Sequence, residues 1–209
     1  MIETEISELE RDAITEMINV AVGRAAAALS ELIGDEVRLS VPFLEFSNPV
    51  KAVGRLNNEM NGLDSVAVRQ RFDGRINGDI LLIFPERRSF DLVRSMLGDN
   101  VPLTQLTDLE QEALLEIGNI ILNACLGSLA NQLGVTLESS LPSYVRGTAA
   151  RILGATPAAT GDELVLFLHV DFALMNRDIS GYLVFFMDIV SARAFVEAVR
   201  NFVASIAKR

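Results

Sequence analysis

The sequence is poor in the residue types that many enzymes use for chemistry or metal binding. Among its 209 residues it has one cysteine, Cys125, one histidine, His169, and no tryptophan. A single cysteine excludes an internal disulfide and suits a reducing compartment, so we expect a cytoplasmic protein. A zinc site built from several Cys and His side chains is excluded as well.

Clustered positive charge and long apolar runs are also missing. Asp and Glu outnumber Lys and Arg by 28 to 18, which gives a formal net charge of −10. Because phosphate backbones are bound by clusters of Lys and Arg, we expect no nucleic-acid partner. The longest apolar runs, such as LVLFL and GYLVFFM, have the length of strands, whereas a membrane helix needs roughly 18 uninterrupted apolar residues. We therefore expect no membrane insertion.

Motifs for common cofactors and nucleophiles are absent too. The sequence has no Walker A loop, no Gly-x-Gly-x-x-Gly and no Gly-x-Ser-x-Gly. His169 shares a strand face with Asp171 in FLHVDF, and we interpret it as an imidazole in the core or on an edge strand. We expect a protein without a cofactor of its own.

An internal repeat with an offset of 100 residues is the main feature that the chain does have. Residues 7–34 match residues 107–134 without gaps. Each segment begins with a Ser/Thr-x-x-Glu capping box and ends in a glycine, a common left-handed helix stop. The sequence therefore predicts two long helices of equal length, capped at Ser7 and Thr107 and stopped at Gly34 and Gly134.

The pattern after each long helix repeats as well. Alternating apolar residues, turn residues and amphipathic spacing predict a proline-containing strand (36–46 and 135–146), a short helix, a strand pair and a closing helix. The unit is α-β-α-β-β-α. Two units predict an α/β fold with six strands in one sheet, pseudo-twofold symmetry and both long helices on one face.

The repeat also suggests how the chain is divided. We assign residues 1–209 to a single domain made of repeats 7–98 and 107–206, without a linker between independently folding halves. The Ala/Thr/Pro-rich stretch 154–163 is expected to be a mobile loop.

The two long helices carry the same outward-facing acid and amide. On a wheel of 100° per residue, a wedge of about 60° opposite the apolar face contains Asp12, Glu16, Asn19 and Gly23. The second copy repeats this wedge with Glu112, Glu116, Asn119 and Asn123. Because asparagine is a poor helix former, its recurrence in register favours a function over a merely solvated surface.

This pattern resembles the active-site signature of the CheC/CheX/FliY chemotaxis phosphatases, [Asp/Ser]-x3-Glu-x2-Asn-x22-Pro. The first copy fits at every position, with Asp12, Glu16, Asn19 and Pro42. The second copy fits with Glu116, Asn119 and Pro142, and departs from the signature only at Glu112. Two copies in one chain resemble the CheC type, because CheX-type proteins have one site and FliY carries a further flagellar-switch domain.

The resemblance implies a phosphatase that hydrolyses the aspartyl phosphate of a CheY-like response-regulator receiver. In that reading Asn19 and Asn119 orient the attacking water, and Glu16 and Glu116 pair with a lysine of the receiver. Asp12, Pro42, Glu112 and Pro142 have auxiliary roles. The resemblance implies Mg²⁺ on the receiver rather than on this chain, and a CheD-like deamidase as a second partner, bound through the helix at 86–98.

Two other functions fit the same residues. The helices could bind a receiver and sequester it without turnover, in which case replacing the asparagines would leave binding intact. Carboxylates four residues apart, Asp12 with Glu16 and Glu112 with Glu116, could instead hold a divalent metal. No Glu-x-x-His arrangement completes such a site.

Overall fold

The computed structural model describes residues 6–97, 103–153, 164–174 and 177–206. Within these ranges the chain forms six helices and seven strands. The expected mobile loop at 154–163 lies outside them. In chain order the elements are α1 (Glu8–Ile33), β1 (Val37–Ser47), α2 (Pro49–Glu59), β2 (Ser65–Gly74), β3 (Gly78–Pro85), α3 (Glu86–Leu97), α4 (Leu103–Leu133), β4 (Leu137–Ser139), β5 (Ser143–Gly147), α5 (Ala149–Leu153), β6 (Leu164–Leu174), β7 (Arg177–Met187) and α6 (Ile189–Ile206).

Helix α1 begins where its capping box predicts. The Ser7 backbone N–H donates to Glu10 Oε2 (2.6 Å), and the Glu10 N–H donates to Ser7 Oγ (3.4 Å). Gly34 ends the helix in a left-handed conformation with a φ of 73°. The first predicted helix is confirmed, and its fixed ends determine which side chains of α1 face outward.

Helix α4 begins earlier than the sequence predicts. It starts at Leu103, so Thr107 lies inside the helix and the second predicted capping box is wrong. Once a helix has nucleated, each residue added at its start gains a backbone hydrogen bond, and α4 extends upstream of Thr107 in this way.

All seven strands form one antiparallel sheet in which the two repeats exchange strands. The order is β1-β6-β7-β3-β2, with β4 and β5 both paired to β2 at the far edge. Strand β1 of the first repeat therefore pairs with β6 of the second, whereas β2 of the first pairs with β4 and β5 of the second. Strands β3 and β7 meet at the centre.

The pairings on the two sides of the sheet are related by the same offset of 100 residues. Val37 pairs with Leu174, and Leu137 pairs with Gly74. The same offset holds at the other end of these strands. Ser47 pairs with Val165, and Gly147 pairs with Ser65. This is the predicted pseudo-twofold symmetry, while the single-domain assignment and the repeat boundaries stay predictions.

One predicted strand is broken, which is why the sheet has seven strands rather than six. The segment 135–146 forms β4 and β5, separated by residues 140–142. Pro142 lies in this gap and has no N–H to donate to a ladder. The equivalent Pro42 lies in β1, where the register against β6 shifts between Ser40 and Phe43. Each proline thus coincides with an irregularity at a sheet edge.

Helices cover the sheet on both faces. Helices α1, α3, α4 and α6 pack on the sheet in the larger hydrophobic core, and α2 and α5 cover the opposite face. Within the described residues, one segment, Leu109–Leu133 of α4, is long and apolar enough by composition to match a membrane span. Of its most apolar window, 56% is buried inside the fold, which is the behaviour of a core helix.

Candidate active site

The first motif lies on the outer face of α1. Met17 and Ile18 are almost fully buried against the core, whereas Asp12, Glu16 and Asn19 are exposed. The wedge that the helical wheel predicts is therefore the solvent-facing side of this helix.

The polar side chains of the first motif are not engaged by the rest of the protein. In the part of the chain that the structure describes, none of Asp12, Glu16 and Asn19 has a hydrogen-bond or ion-pair partner. Gly23, one turn after Asn19, is also exposed, and a Cβ built there would meet no atom within 4 Å. No side chain protrudes at Gly23, and the polar groups of the first motif are available to a partner.

The second motif occupies the equivalent face of α4. Glu112 and Glu116 are exposed, and Asn119 is half-buried. Gly118 faces inward, and a Cβ built there would lie only 2.5 Å from Cγ1 of Val68 in β2. Because glycine has no side chain, α4 approaches β2 closely beside Asn119.

A chain of hydrogen bonds connects Asn119 to strand β2 through Asn123. Asn123 Nδ2 donates to Asn119 Oδ1 (2.7 Å). Asn123 Oδ1 accepts from Gln70 Nε2 (3.0 Å) and from Ser139 Oγ (2.9 Å). The buried Gln70 also donates from Nε2 to the Ser140 carbonyl oxygen (2.8 Å). The two motifs therefore present the same residues to solvent but are supported differently.

The motif prolines lie in the strands that follow the motif helices. Pro42 is exposed and Pro142 is half-buried. Their positions at the edge irregularities favour a role in shaping these strands, and their auxiliary role at the site stays a prediction.

Gln70 and Ser139 are the site residues that the sequence analysis missed. In SVAVRQRF, Val66, Val68 and Phe72 alternate toward the core, and Gln70 occupies the inward position between the last two. A buried amide needs hydrogen-bond partners. An amide at an inward position of a buried strand is the signal that would have pointed to the network.

Other reactive groups lie away from the motif faces. Cys125 is fully buried in α4, and burial raises the pKa of its thiol to about 12, so the thiol stays protonated. His169 stacks on Tyr182 with ring centroids 5.1 Å apart, in the layer covered by α2 and α5. Among the described residues, no three His, Cys, Asp or Glu side chains come close enough together to hold a metal ion.

Helix α3, the segment through which the family resemblance implies a CheD-like partner, is anchored to the core. Leu92 and Val93 are fully buried. Ser89 Oγ lies 2.5 Å from Oε1 of the buried Glu110 in α4. Binding of a CheD-like protein through 86–98 stays a prediction, and residue 98 lies outside the described residues.

The motif faces combine an amide and a carboxylate one turn apart. A carboxamide can both donate to and accept from a water molecule, which fixes the orientation of that water. An exposed carboxylate can form a charge-assisted hydrogen bond with a lysine of another protein. Such a surface suits a reaction in which the partner brings the reactive group and the charges that activate it.

Comparison with known proteins identifies relatives by sequence. No protein-family model matches the chain. It is 26% identical over 145 residues to the CheY-P phosphatase CheC of Bacillus subtilis (strain 168), and the match covers 66% of each protein. It is 21% identical over 189 residues to CheC1 of Halobacterium salinarum, covering 90% of this chain and 93% of that protein.

Solved structures share the fold. FliY from Thermotoga maritima superposes with a TM-score of 0.73 at 19% identity, over 94% of this chain and 98% of that chain. The structure of CheX from Borrelia burgdorferi in complex with CheY, BeF₃ and Mg²⁺ superposes with a TM-score of 0.51 at 17% identity, over 83% of this chain and 99% of that one. The predicted fold is confirmed by these likenesses.

Proposed function

Because the chain belongs to the family that comprises CheC, CheX and FliY, we propose that it is a phosphatase for the aspartyl phosphate of a response-regulator receiver. One observation carries the proposal: Glu16 with Asn19, and Glu116 with Asn119, recur in register on the solvent-facing sides of two core helices. The match to the CheY-P phosphatase CheC and the CheX–CheY complex support a CheY-like receiver as the partner.

The proposed reaction is the hydrolysis of an acyl phosphate that is already activated. The oxygen of a water molecule forms a bond to phosphorus while the bond from phosphorus to the aspartate oxygen breaks. The receiver carboxylate is the leaving group, and the protons of the water pass to the released phosphate and to solvent. The receiver holds Mg²⁺ and a lysine, which stabilise the charge that develops on the phosphoryl oxygens.

The motif residues position the reactants in this reaction. Asn19 and Asn119 hold the water in line with phosphorus, and a carboxamide can do so because it both donates and accepts. Glu16 and Glu116 pair with the receiver lysine and dock the helix over the receiver's phosphorylation site. The proposed reaction needs no cofactor bound to this chain. We also propose that the protein acts in the cytoplasm.

The decay of phosphate from a Mg²⁺-bound phospho-receiver tests this function. We expect the protein to accelerate the decay, and we expect Asn19→Ala or Asn119→Ala to slow turnover at the altered site by about 100-fold, the size of effect seen when one positioned polar group is removed. The double variant should lose the acceleration while it still binds the receiver. Asn131→Ala, which alters an exposed asparagine elsewhere on α4, should retain full activity.

The same experiment separates the enzyme from a sequestering module. Binding of the phospho-receiver without any acceleration by the unaltered protein would contradict the phosphatase function for that receiver. In a sequestering module, the double variant would behave like the unaltered protein in both binding and decay.

A further inference from the structure

The orientation of Asn119 is determined by a backbone carbonyl inside the protein. The Ser140 carbonyl oxygen can only accept a hydrogen bond, so the Gln70 amide that faces it must present its NH₂ group, Nε2, at 2.8 Å. The other hydrogen of Gln70 Nε2 then donates to Asn123 Oδ1 at 3.0 Å. Since Gln70 is 1% exposed, water does not compete for this arrangement.

The orientation is passed on to the surface. Asn123 Oδ1 accepts from both Gln70 and Ser139, which uses its two lone pairs. The Nδ2 group of Asn123 therefore turns toward Asn119 and donates to its Oδ1 at 2.7 Å. Asn119 Oδ1 is thus held toward Asn123, and its NH₂ group is the part left for a partner.

The first motif has no counterpart of this network. The sheet registers relate the two copies by an offset of 100 residues, and Asn123, Gln70 and Ser139 correspond to Gly23, Val170 and Leu39. None of these three has a side chain that forms hydrogen bonds. Within the described residues Asn19 has no hydrogen-bond partner, so nothing in that part of the protein selects one orientation of its amide.

We propose that Asn123, oriented by Gln70 and Ser139, is a positioning residue that makes Asn119 present its NH₂ group as a donor in the second site, whereas Asn19 in the first site is free to turn. This inference rests on the proposed phosphatase function. The second site is preorganised, and its asparagine donates to the attacking water or to a phosphoryl oxygen. The first site selects its amide orientation only when the partner binds.

The test uses Asn123 variants in a protein that also carries Asn19→Ala, so that only the second site works. Asn123→Ala releases Asn119, which can then populate the two χ1 wells that are common in a helix and two amide orientations. We expect kcat to fall by about fourfold or more, in proportion to these states, with the KM for the phospho-receiver unchanged. Asn131→Ala, the matched control on the same helix, should leave both kcat and KM unchanged.

Asn123→Asp separates orientation from packing. The carboxylate has the shape of the amide and still accepts from Gln70 and Ser139, but it cannot donate to Asn119 Oδ1. Asn119 should turn its NH₂ group toward the carboxylate at position 123, and kcat should fall at least as far as with Asn123→Ala. Full activity of Asn123→Asp, or a change in KM alone, would overturn the inference.

Two results distinguish the inference from the function on which it rests. If the Asn19→Ala protein accelerates decay and Asn123→Ala does not alter kcat, the inference is wrong and the phosphatase function stands. If the unaltered protein does not accelerate decay, both are wrong.

In a protein with all sites intact, ¹⁵N-detected hydrogen exchange should show slower exchange for the side-chain NH₂ of Asn123 than for that of Asn119, and the reverse order would also overturn the inference.

Discussion

Glu10 and Glu110 occupy the same position in the two repeats, but their pKa values are shifted in opposite directions. Burial alone would raise the pKa of Glu10, yet hydrogen bonds from the Ser7 backbone, from Arg200 (2.6 Å) and from the Ser7 hydroxyl hold it below its ordinary value of 4.5. At Glu110 burial prevails and raises the pKa above 4.5, despite the Ser89 hydroxyl and nearby Arg146. The copies of the repeat have thus diverged in how they accommodate a buried acid.

The Ser89 hydroxyl lies between a backbone carbonyl of α3 and the Glu110 carboxyl of α4. Ser89 Oγ lies 2.6 Å from the Glu86 carbonyl oxygen and 2.5 Å from Glu110 Oε1. A hydroxyl has only one hydrogen and cannot donate to both oxygens. The Ser89 hydroxyl therefore donates to either the Glu86 carbonyl or the Glu110 carboxyl at any one time.

These directions predict opposite effects of pH on stability. The lowered pKa of Glu10 contributes stability that is present above pH 4.5 and is lost as the pH falls through the folded-state pKa. The raised pKa of Glu110 contributes stability below pH 4.5 that is lost as the pH rises through its folded-state pKa. Urea unfolding at pH 7 should show a loss of about 1–2 kcal/mol for Glu10→Gln and little or no loss for Glu110→Gln.

Unfolding curves measured below pH 4.5 check the direction in which the effect of Glu10→Gln changes with pH. Below pH 4.5 the penalty of Glu10→Gln should shrink, because the glutamate is itself becoming neutral there. An equal loss of stability for both variants at pH 7 would contradict the opposite directions of the two pKa shifts.

At the scale of elements, the close approach of α4 to β2 depends on one glycine. A Cβ at Gly118 would come within 2.5 to 2.8 Å of three atoms of Val68. The equivalent residue in α1 is the buried Ile18, so the two motif helices sit differently on the sheet. The hydrogen-bonded chain below Asn119 requires this approach, because it joins side chains of α4 to Gln70 in β2.

A single methyl group should therefore separate α4 from the sheet. We expect Gly118→Ala to reduce the free energy of unfolding by about 1–3 kcal/mol through overpacking against Val68, as measured by urea denaturation. Gly127→Ala is the control on the same helix, where a Cβ meets no atom within 4 Å, and it should stabilise the protein by up to about 1 kcal/mol. If Gly118→Ala reduced the free energy of unfolding no more than Gly127→Ala does, this explanation would be contradicted.

At the scale of the whole molecule, the repeats are interlocked by their first strands. Strand β1 has its only described strand partner, β6, in the other repeat, and β4 and β5 have theirs in β2. A repeat by itself would leave β1 or β5 unpaired and would expose one face of the core. The exchange makes the folding of each half dependent on the other.

Cutting the chain tests this dependence. We expect fragments 1–100 and 101–209 to lack a cooperative unfolding transition when each is produced alone, because each lacks the partner of its first strand. Circular dichroism and thermal unfolding measure the transition. Co-expression of both fragments should restore it, and a fragment that unfolds cooperatively as a monomer would contradict the interlocked arrangement.

The sequence by itself determined the features that depend on local spacing. A helical periodicity places Glu16 and Asn19 outward whatever the rest of the fold does, because the phase of a helix is set by a few neighbouring residues. The capping box at Ser7 and the offset of 100 residues between the repeats are read in the same way. The signature on these helices pointed to the family before any fold was known.

Only the tertiary structure decided the features that join distant parts of the chain. The exchange of β1 pairs residues more than 100 positions apart through backbone groups that every residue has, so no local pattern specifies the partner strand. The start of α4 before Thr107 and the departure of residues 140–142 from the strand are also known only from the structure. The support of Asn119 depends on Gln70, which lies 53 positions before Asn123 and reaches it only because β2 and α4 pack together.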